Sequence, residues 1–448
     1  MSKPANLPVI FVEDGGVAAA GLSEAHVAWA EANGFSGQRG RLLPLPGEEG
    51  AVAGYLFGVG GAEERPVMVS GLAGAALAEG RYRLEGAYGD STLAALGFAL
   101  GGYRFARYRK GSAPAELDPP DDADKAEIAR LRDAAFMARD LINTPANDMG
   151  PGALEAEIRA LAGRHKAKVA VTAGDELLEG NFPMIHAVGR AAGEAPRLVD
   201  ITWGRESDPK VTLVGKGVTF DTGGLDIKPA AGMLLMKKDM GGAANVLGLA
   251  HAIMDAGLKV RLRVLIPIVE NAISATAFRP GDVLVSRKGI SVEIGNTDAE
   301  GRLILADALA LADEESPELL LDMATLTGAA RVALGPDLPP LYSNDDALAR
   351  ELVAAGMAAD DPLWHMPLWS PYDSMMASRI ADVNNAGTGG FAGSVTAALF
   401  LRRFVENAGA WVHLGIFGWA PEARPARPVG GTDQGIRAVY GVLKQRYG

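Results

Sequence analysis

Cysteine is absent from the sequence, which excludes disulfides, thiolate metal ligands and a cysteine nucleophile together. Histidine is sparse: His26, His165, His186, His251, His365 and His413 are scattered, with no HExxH pair, so a histidine-based zinc site is disfavoured. A serine hydrolase would need a GxSxG elbow, and around Ser394 the chain reads FAGSVTA. A Walker-type phosphate loop would need glycine five residues before Gly215, where Lys210 stands. Apolar runs of 18 or more residues are missing, so no segment is a candidate membrane-spanning helix. The opening MSKPANLPVIFVEDGG lacks the long apolar core and cleavage site of a secretory leader, and with no cysteine it predicts a cytoplasmic protein. Basic excess is missing too. Lys and Arg number 43 against 55 Asp and Glu, a formal net charge of -12, which weighs against an obligate nucleic-acid partner.

At 448 residues, with 48% hydrophobic and 22% charged side chains, the chain has material for two or three domains and a large core. Residues 1–120 alternate short apolar runs, among them Val9-Ile10-Phe11-Val12 and Pro66-Val67-Met68-Val69, with alanine-rich stretches such as Thr92 to Leu100. That alternation predicts a small α/β domain; it carries no catalytic constellation and suits assembly or access control. Arg109 to Asp124, RKGSAPAELDPPDDAD, is proline-rich and charged like a linker. Helical periodicity then runs from Lys125 to Ile142, so residues 121–145 are expected to hold a linker helix that Asn143-Thr144-Pro145 ends.

Residues 146–448 make the larger domain. There the pattern predicts strands at 198–203, 211–214, 264–269, 319–323 and 411–417, and helices at 242–254, 302–314 and 395–406. The expected fold class is α/β in two domains: a small N-terminal α/β domain and a larger C-terminal α/β domain whose central mixed sheet is flanked by helices. Its site belongs where strand ends meet loops.

The chemistry concentrates in two stretches of that larger domain: Val211 to Asp239, VTLVGKGVTFDTGGLDIKPAAGMLLMKKD, and Asn296 to Leu303, NTDAEGRL. In the first, an apolar run breaks at Gly215 and Gly217 around Lys216 and again at Gly223-Gly224 after Asp221, reading as a buried strand entering a loop that approaches something closely. In the second, Asp298, Glu300 and Arg302 are spaced two apart and would diverge on a helix. Asn296-Thr297-Asp298 has capping chemistry, so Asp298 and Glu300 are expected at a loop-to-helix junction, pointing into one pocket. Asp221, Asp239, Asp298 and Glu300 bring four negative charges, prohibitive to bury together without compensation; two divalent cations supply it. Taken singly, each acid reads equally as a cap or a lysine partner, and spacing alone does not choose these four over Asp226.

Jointly, VGKGVTFDTGGLDIKP, MKKDMGGAA and NTDAEGRL, in that order, resemble the defining motifs of the cytosol (leucyl) aminopeptidase family, dinuclear metallo-exopeptidases. LINTPANDMGP, DMATLTGAA, PLWSPYDSMMASRIADVNN, GSVTAALFLRRF and WVHLGIFGWA also look like family segments, extending the likeness from about residue 141 to the C-terminus. The resemblance implies that Asp221 and Glu300 bridge two metals, that Asp239 and the Lys216 amine complete one, and that Asp298 completes the other. Lys216 would have to be neutral, a state that burial and adjacent dications favour. Lys228, left charged, would stabilise the oxyanion, and a bicarbonate held by Arg302 would serve as general base, with an Arg302–Asp226 ion pair as the plainer reading of that arginine. Met236 would line the pocket for the first side chain, and Thr325 with Leu326 would lie near the substrate amine. Also implied are peptide substrates with a leucine-like, apolar first residue, manganese or zinc as metal, and a homohexamer.

Two departures stand out: Gly415 occupies a position where family members commonly carry aspartate, and the N-terminal third is shorter than in many members. A two-metal phosphoesterase and a nucleic-acid-binding assembly on the same scaffold remain as rival readings.

Overall fold

Val211 to Gly215 lies near the middle of a large mixed sheet, and every one of those residues is buried. The computed structural model describes residues 6–64 and 66–448; the first five residues of the N-terminal stretch considered above lie outside them. Two compact units form, residues 1–136 with 420–429, and residues 137–419 with 430–448.

In the second unit the sheet runs in the order Trp364–His365, Pro340–Ser343, Ala410–Gly415, Leu319–Ala324, Lys210–Gly215, Arg261–Asn271, Arg197–Trp203 and Lys168–Ala173. Gly217–Asp221 pairs in parallel with the later half of Arg261–Asn271. Four neighbours, from Ala410–Gly415 to Arg261–Asn271, are parallel to one another, while both flanks are antiparallel to them. All six residues of Leu319–Ala324 are buried, the mark of a strand covered on both faces, and that is why these strands read as unbroken apolar runs. The helices Gly241–Ala256 and Gly301–Asp313 pack on the parallel strands. Leu303, Ile304 and Leu305 join Val214, Leu265 and Leu320 in one core cluster. The fold class is α/β as expected, and the strands and helices anticipated in this region are all present.

The first unit has its own five-stranded sheet, ordered Leu42–Pro46, Val52–Gly60, Asn6–Glu13, Arg81–Gly86, Glu116–Asp118. Only the first pair is antiparallel. Phe11, Phe57, Tyr82 and Phe98 fill its core, and Asp90 caps the helix Ser91–Gly101 by accepting from Leu93 N at 2.8 Å. The proline-rich stretch 109–124 thus contributes an edge strand, Glu116–Asp118. The helix after it runs Lys125–Asn143. Among the described residues no helix is long and apolar enough to cross a membrane.

Candidate metal centre

The parallel strands deliver their carboxyl ends to one place, where ligands bind in open α/β sheets. Lys216 follows the strand Lys210–Gly215, Asp221 ends Gly217–Asp221, and Thr325 follows Leu319–Ala324. Asp239 comes from the short helical turn Met236–Met240, and Glu300 from the residue before the helix Gly301–Asp313. Two glycines make the convergence possible. A Cβ on Gly242 would stand 2.1 Å from the Met323 carbonyl oxygen, and one on Gly301 would stand 2.5 Å from Lys216 Cε. The Lys216 side chain therefore passes over a helix start that has no side chain of its own.

Lys216 is 3% exposed. Its Nζ lies 2.7 Å from Asp239 Oδ2 and 3.0 Å from Glu300 Oε1, and donates to the Thr325 carbonyl at 3.2 Å. Lys228 Nζ lies 2.8 Å from Asp221 Oδ2 and also pairs with Asp298 Oδ1. Backbone and amide donors hold Asp221 Oδ1, from Gly223 N and Asn271 Nδ2, both at 2.8 Å. Thr325 Oγ1 donates to Asp239 Oδ1 at 2.8 Å. Asp221, Asp298 and Glu300 each offer an oxygen within 4.8 Å of the others.

Burial pushes the Glu300 carboxyl up to about 8 and Asp298 up to about 6, in both cases with Asp221 adding repulsion. For Asp239 burial acts the same way, but Lys216 and Lys238 outweigh it and hold its carboxyl below the ordinary value. Burial opposes the charge on Lys216, yet Asp239, Glu300 and Asp221 together keep its ammonium above the usual lysine range. Lys228 is raised in the same way by Asp221 and Asp298. The protein's own cations do not complete the cluster: two ammonium groups, Lys216 and Lys228, face four carboxylates, and Glu300 Oε2 is buried without a hydrogen bond. An excess of buried negative charge and a buried carboxylate oxygen without a donor are costly, and a set of carboxylate oxygens with one amine suits hard or borderline divalent cations. The residues present therefore fit a metal centre.

Asp226 is not in the cluster. It is exposed, and its Oδ2 accepts from Thr297 N at 2.8 Å, while Thr297 Oγ1 accepts from Asp226 N at 2.8 Å and donates to the Gly223 carbonyl. Thr297 thus ties the two motif loops together. The capping expected of Asn296-Thr297-Asp298 is instead a local turn, with Asn296 Oδ1 accepting from Asp298 N. The helix begins without a side-chain cap, because Glu300 at its cap position turns to Lys216. The Arg302–Asp226 ion pair does not form: Arg302 Nη1 donates to the Asn385 carbonyl at 2.6 Å, and its buried Nε has no partner. Burial lowers the Arg302 guanidinium to about 10.

A cavity of about 340 Å³ opens over the cluster. Lys216, Asp221, Lys228, Met236, Asp239, Asp298, Arg302, Thr325 and Leu326 all line it; Glu300 does not, and reaches the cluster through its contact with Lys216. Residues that sequence reasoning passed over also shape the site. Asn271 anchors Asp221, and Asn385 accepts from Gly295 N and donates to the Asn296 carbonyl, clamping the second loop. His413, two residues before Gly415, pairs with Asp322, whose Oδ1 lies 2.6 Å from His413 Nδ1. A Cβ on Gly415 would stand 3.0 Å from Pro340 Cγ.

A family model described as "Cytosol aminopeptidase family, catalytic domain" matches residues 136–440. The chain belongs to the cytosol aminopeptidase family. The model for that family's N-terminal domain matches residues 18–117, so the family likeness extends into the first third, which the motifs had left unaccounted for. A "Probable cytosol aminopeptidase" of Roseiflexus castenholzii is 43% identical over 367 residues, 78% of this chain and 75% of that protein. A crystal structure of the cytosol aminopeptidase of Coxiella burnetii superposes with a TM-score of 0.94 at 44% identity, covering 100% of this chain and 99% of that one. The bottromycin maturation enzyme BotP, in a complex with Mn, superposes with a TM-score of 0.90 at 33% identity, covering 99% of each chain. The protein is a metal-dependent aminopeptidase, a peptide hydrolase of the exopeptidase class. The phosphoesterase and nucleic-acid-binding readings are not favoured.

Proposed function

We propose that the cluster holds two divalent cations, manganese or zinc, with Asp221 and Glu300 shared between them, Lys216 and Asp239 completing one set and Asp298 the other. The observation that carries this reading is the set of four clustered carboxylates facing two ammonium groups, with Glu300 Oε2 buried and without a hydrogen bond. When bound, such a pair supplies Lewis acidity for a peptide carbonyl, lowers the pKa of water and anchors a free α-amino group. Lys216 serves as an amine ligand once its proton leaves; the carboxylates around it oppose that loss and two dications favour it.

The chain's own groups supply the rest. Lys228, held charged between Asp221 and Asp298, provides positive charge for the developing oxyanion. No histidine lines the cavity and its carboxylates are assigned to the cations, so the proton acceptor in this reading is a separate group. Arg302, with one nitrogen committed to Asn385 and its Nε unpartnered, suits a bicarbonate ion as that acceptor. Met236 lies on the cavity wall and borders the first side chain, with leucine-like residues as baseline substrates; Thr325 and Leu326 border the amine side. A cytoplasmic location accords with the "cytosol aminopeptidase" names of the relatives, and a homohexamer is the assembly expected.

The decisive experiment compares Leu-Gly-type peptides with their N-acetylated forms, using metal-stripped protein resupplied with manganese or zinc. Metal-dependent cleavage of the free-amine peptide alone is the expected result. Absence of cleavage with either metal, despite metal uptake, would overturn the reading.

A further inference from the structure

Beside the carboxylate cluster, the same cavity has a second wall of opposite sign. Lys238 and Arg331 both line it. Lys238 is 2% exposed, and its Nζ donates no hydrogen bond to any described residue. Its nearest carboxylate oxygen, Asp239 Oδ1, lies 3.7 Å away, and that oxygen already accepts from Thr325. Arg331 is half-buried, and its guanidinium forms no ion pair or hydrogen bond among the described residues. Both cations rest on one ring: Lys238 Nζ lies 5.3 Å and the Arg331 guanidinium carbon 4.2 Å from the centroid of Phe417. An aromatic face steadies a cation but does not neutralise it. Two like charges therefore share one ring, and the carboxylate near them, Asp239, is already committed to Lys216 and Thr325; such a pair is costly away from water unless a further anion arrives.

The position of this wall decides which anion. Lys238 is two residues beyond Met236 on the same short turn, and one carboxylate, Asp239, separates it from the Lys216 side of the cluster. Resting on the metalloaminopeptidase arrangement above, in which the α-amino group is anchored at that cluster, the wall lies where a side chain of the same residue can reach it. We infer that Lys238 and Arg331 form an anion-binding subsite for the carboxylate of an acidic first residue, so that the enzyme releases N-terminal glutamate or aspartate in preference to the isosteric neutral residues. Met236 provides the apolar contact for the methylene stem. The cations select by charge, and a glutamine or asparagine in the same place leaves them uncompensated.

The test uses C-terminally amidated dipeptides, so that the first side chain is the only carboxylate present. Glu-Leu-amide, Gln-Leu-amide and Leu-Leu-amide are compared with the manganese-loaded enzyme and with its Lys238→Met and Arg331→Met variants. Thermal melting of each variant controls for folding. The expected wild-type result is a kcat/KM for the glutamyl substrate about tenfold to a hundredfold above that for glutaminyl, the range of one or two charge-assisted hydrogen bonds. Each variant is expected to collapse that ratio towards one, through KM more than kcat. A wild-type ratio at or below one, or a ratio that moves in neither folded variant, overturns the inference while leaving the aminopeptidase reading intact if the leucyl substrate is cleaved. Cleavage of none of the three overturns both together.

Discussion

Two buried charge clusters in the second unit make an instructive pair. In one, Asp433 receives Arg139 Nε at 2.8 Å on Oδ1 and Arg437 Nη1 on Oδ2. Asp361, next to it, accepts from Gly435 N at 2.8 Å and Arg437 N at 2.9 Å at the start of the helix Ile436–Tyr447. Arg437 spends its remaining donors on the carbonyls of Ala359 and Asp360. In the other, four carboxylates share Lys216 and Lys228, and Glu300 Oε2 stays buried without a hydrogen bond. Both clusters are buried and rich in acids and bases. The first is completed by the chain itself and fixes structure; the second is left for something the chain does not supply. Burial of charge alone does not mark a functional site, whereas burial of charge left short of donors does.

Substitutions can break that contrast. The largest effect is expected from Glu300→Gln, which keeps shape and removes one shared ligand charge. Its kcat/KM on a leucyl peptide should fall about a thousandfold or more, several kcal/mol of barrier, while chemical denaturation of metal-stripped protein shows little loss of stability. Asp433→Asn should do the reverse. Two buried arginines lose their counter-charge, and unfolding in denaturant should show a loss of about 3–5 kcal/mol.

Metal provides a third handle. Manganese or zinc at about 100 times its dissociation constant should stabilise the wild type by about 2.7 kcal/mol for each independent site, read as a rise in melting temperature, and Glu300→Gln should abolish most of that rise. The smallest effect is expected from Asp226→Ala. It loosens the Thr297 junction between the loops at a cost of about 1 kcal/mol, with metal content at wild-type level. A loss of metal there as large as in Glu300→Gln would erase the distinction between Asp226 and the ligand set.

Much of this was legible in the residues. The parallel strands were found because both of their faces are covered, so the apolar runs are unbroken. The clustered carboxylates were legible only as a set, since a lone aspartate carries no spatial information. Asp226 could not be separated from them by spacing: its exclusion comes from Thr297, 71 residues away in sequence, which takes up its backbone and side chain together. Asn271 and Asn385 were invisible for the same reason, their contacts being long-range amide bonds. The edge strand Glu116–Asp118 was hidden by the prolines around it, which are tolerated at a sheet edge. Nothing in their sequence context sets Lys238 and Arg331 apart; the fold brings both against Phe417.

The central claim is that the donor-poor carboxylate cluster is a two-cation centre. The most direct measurement is the number of manganese or zinc ions bound per chain, by calorimetric titration of metal-stripped protein with elemental analysis after dialysis, in wild type and Glu300→Gln. Two ions per wild-type chain, with loss of at least one in the variant, is the predicted result. One ion or none in a wild-type protein that cleaves leucyl peptides at full rate would contradict it.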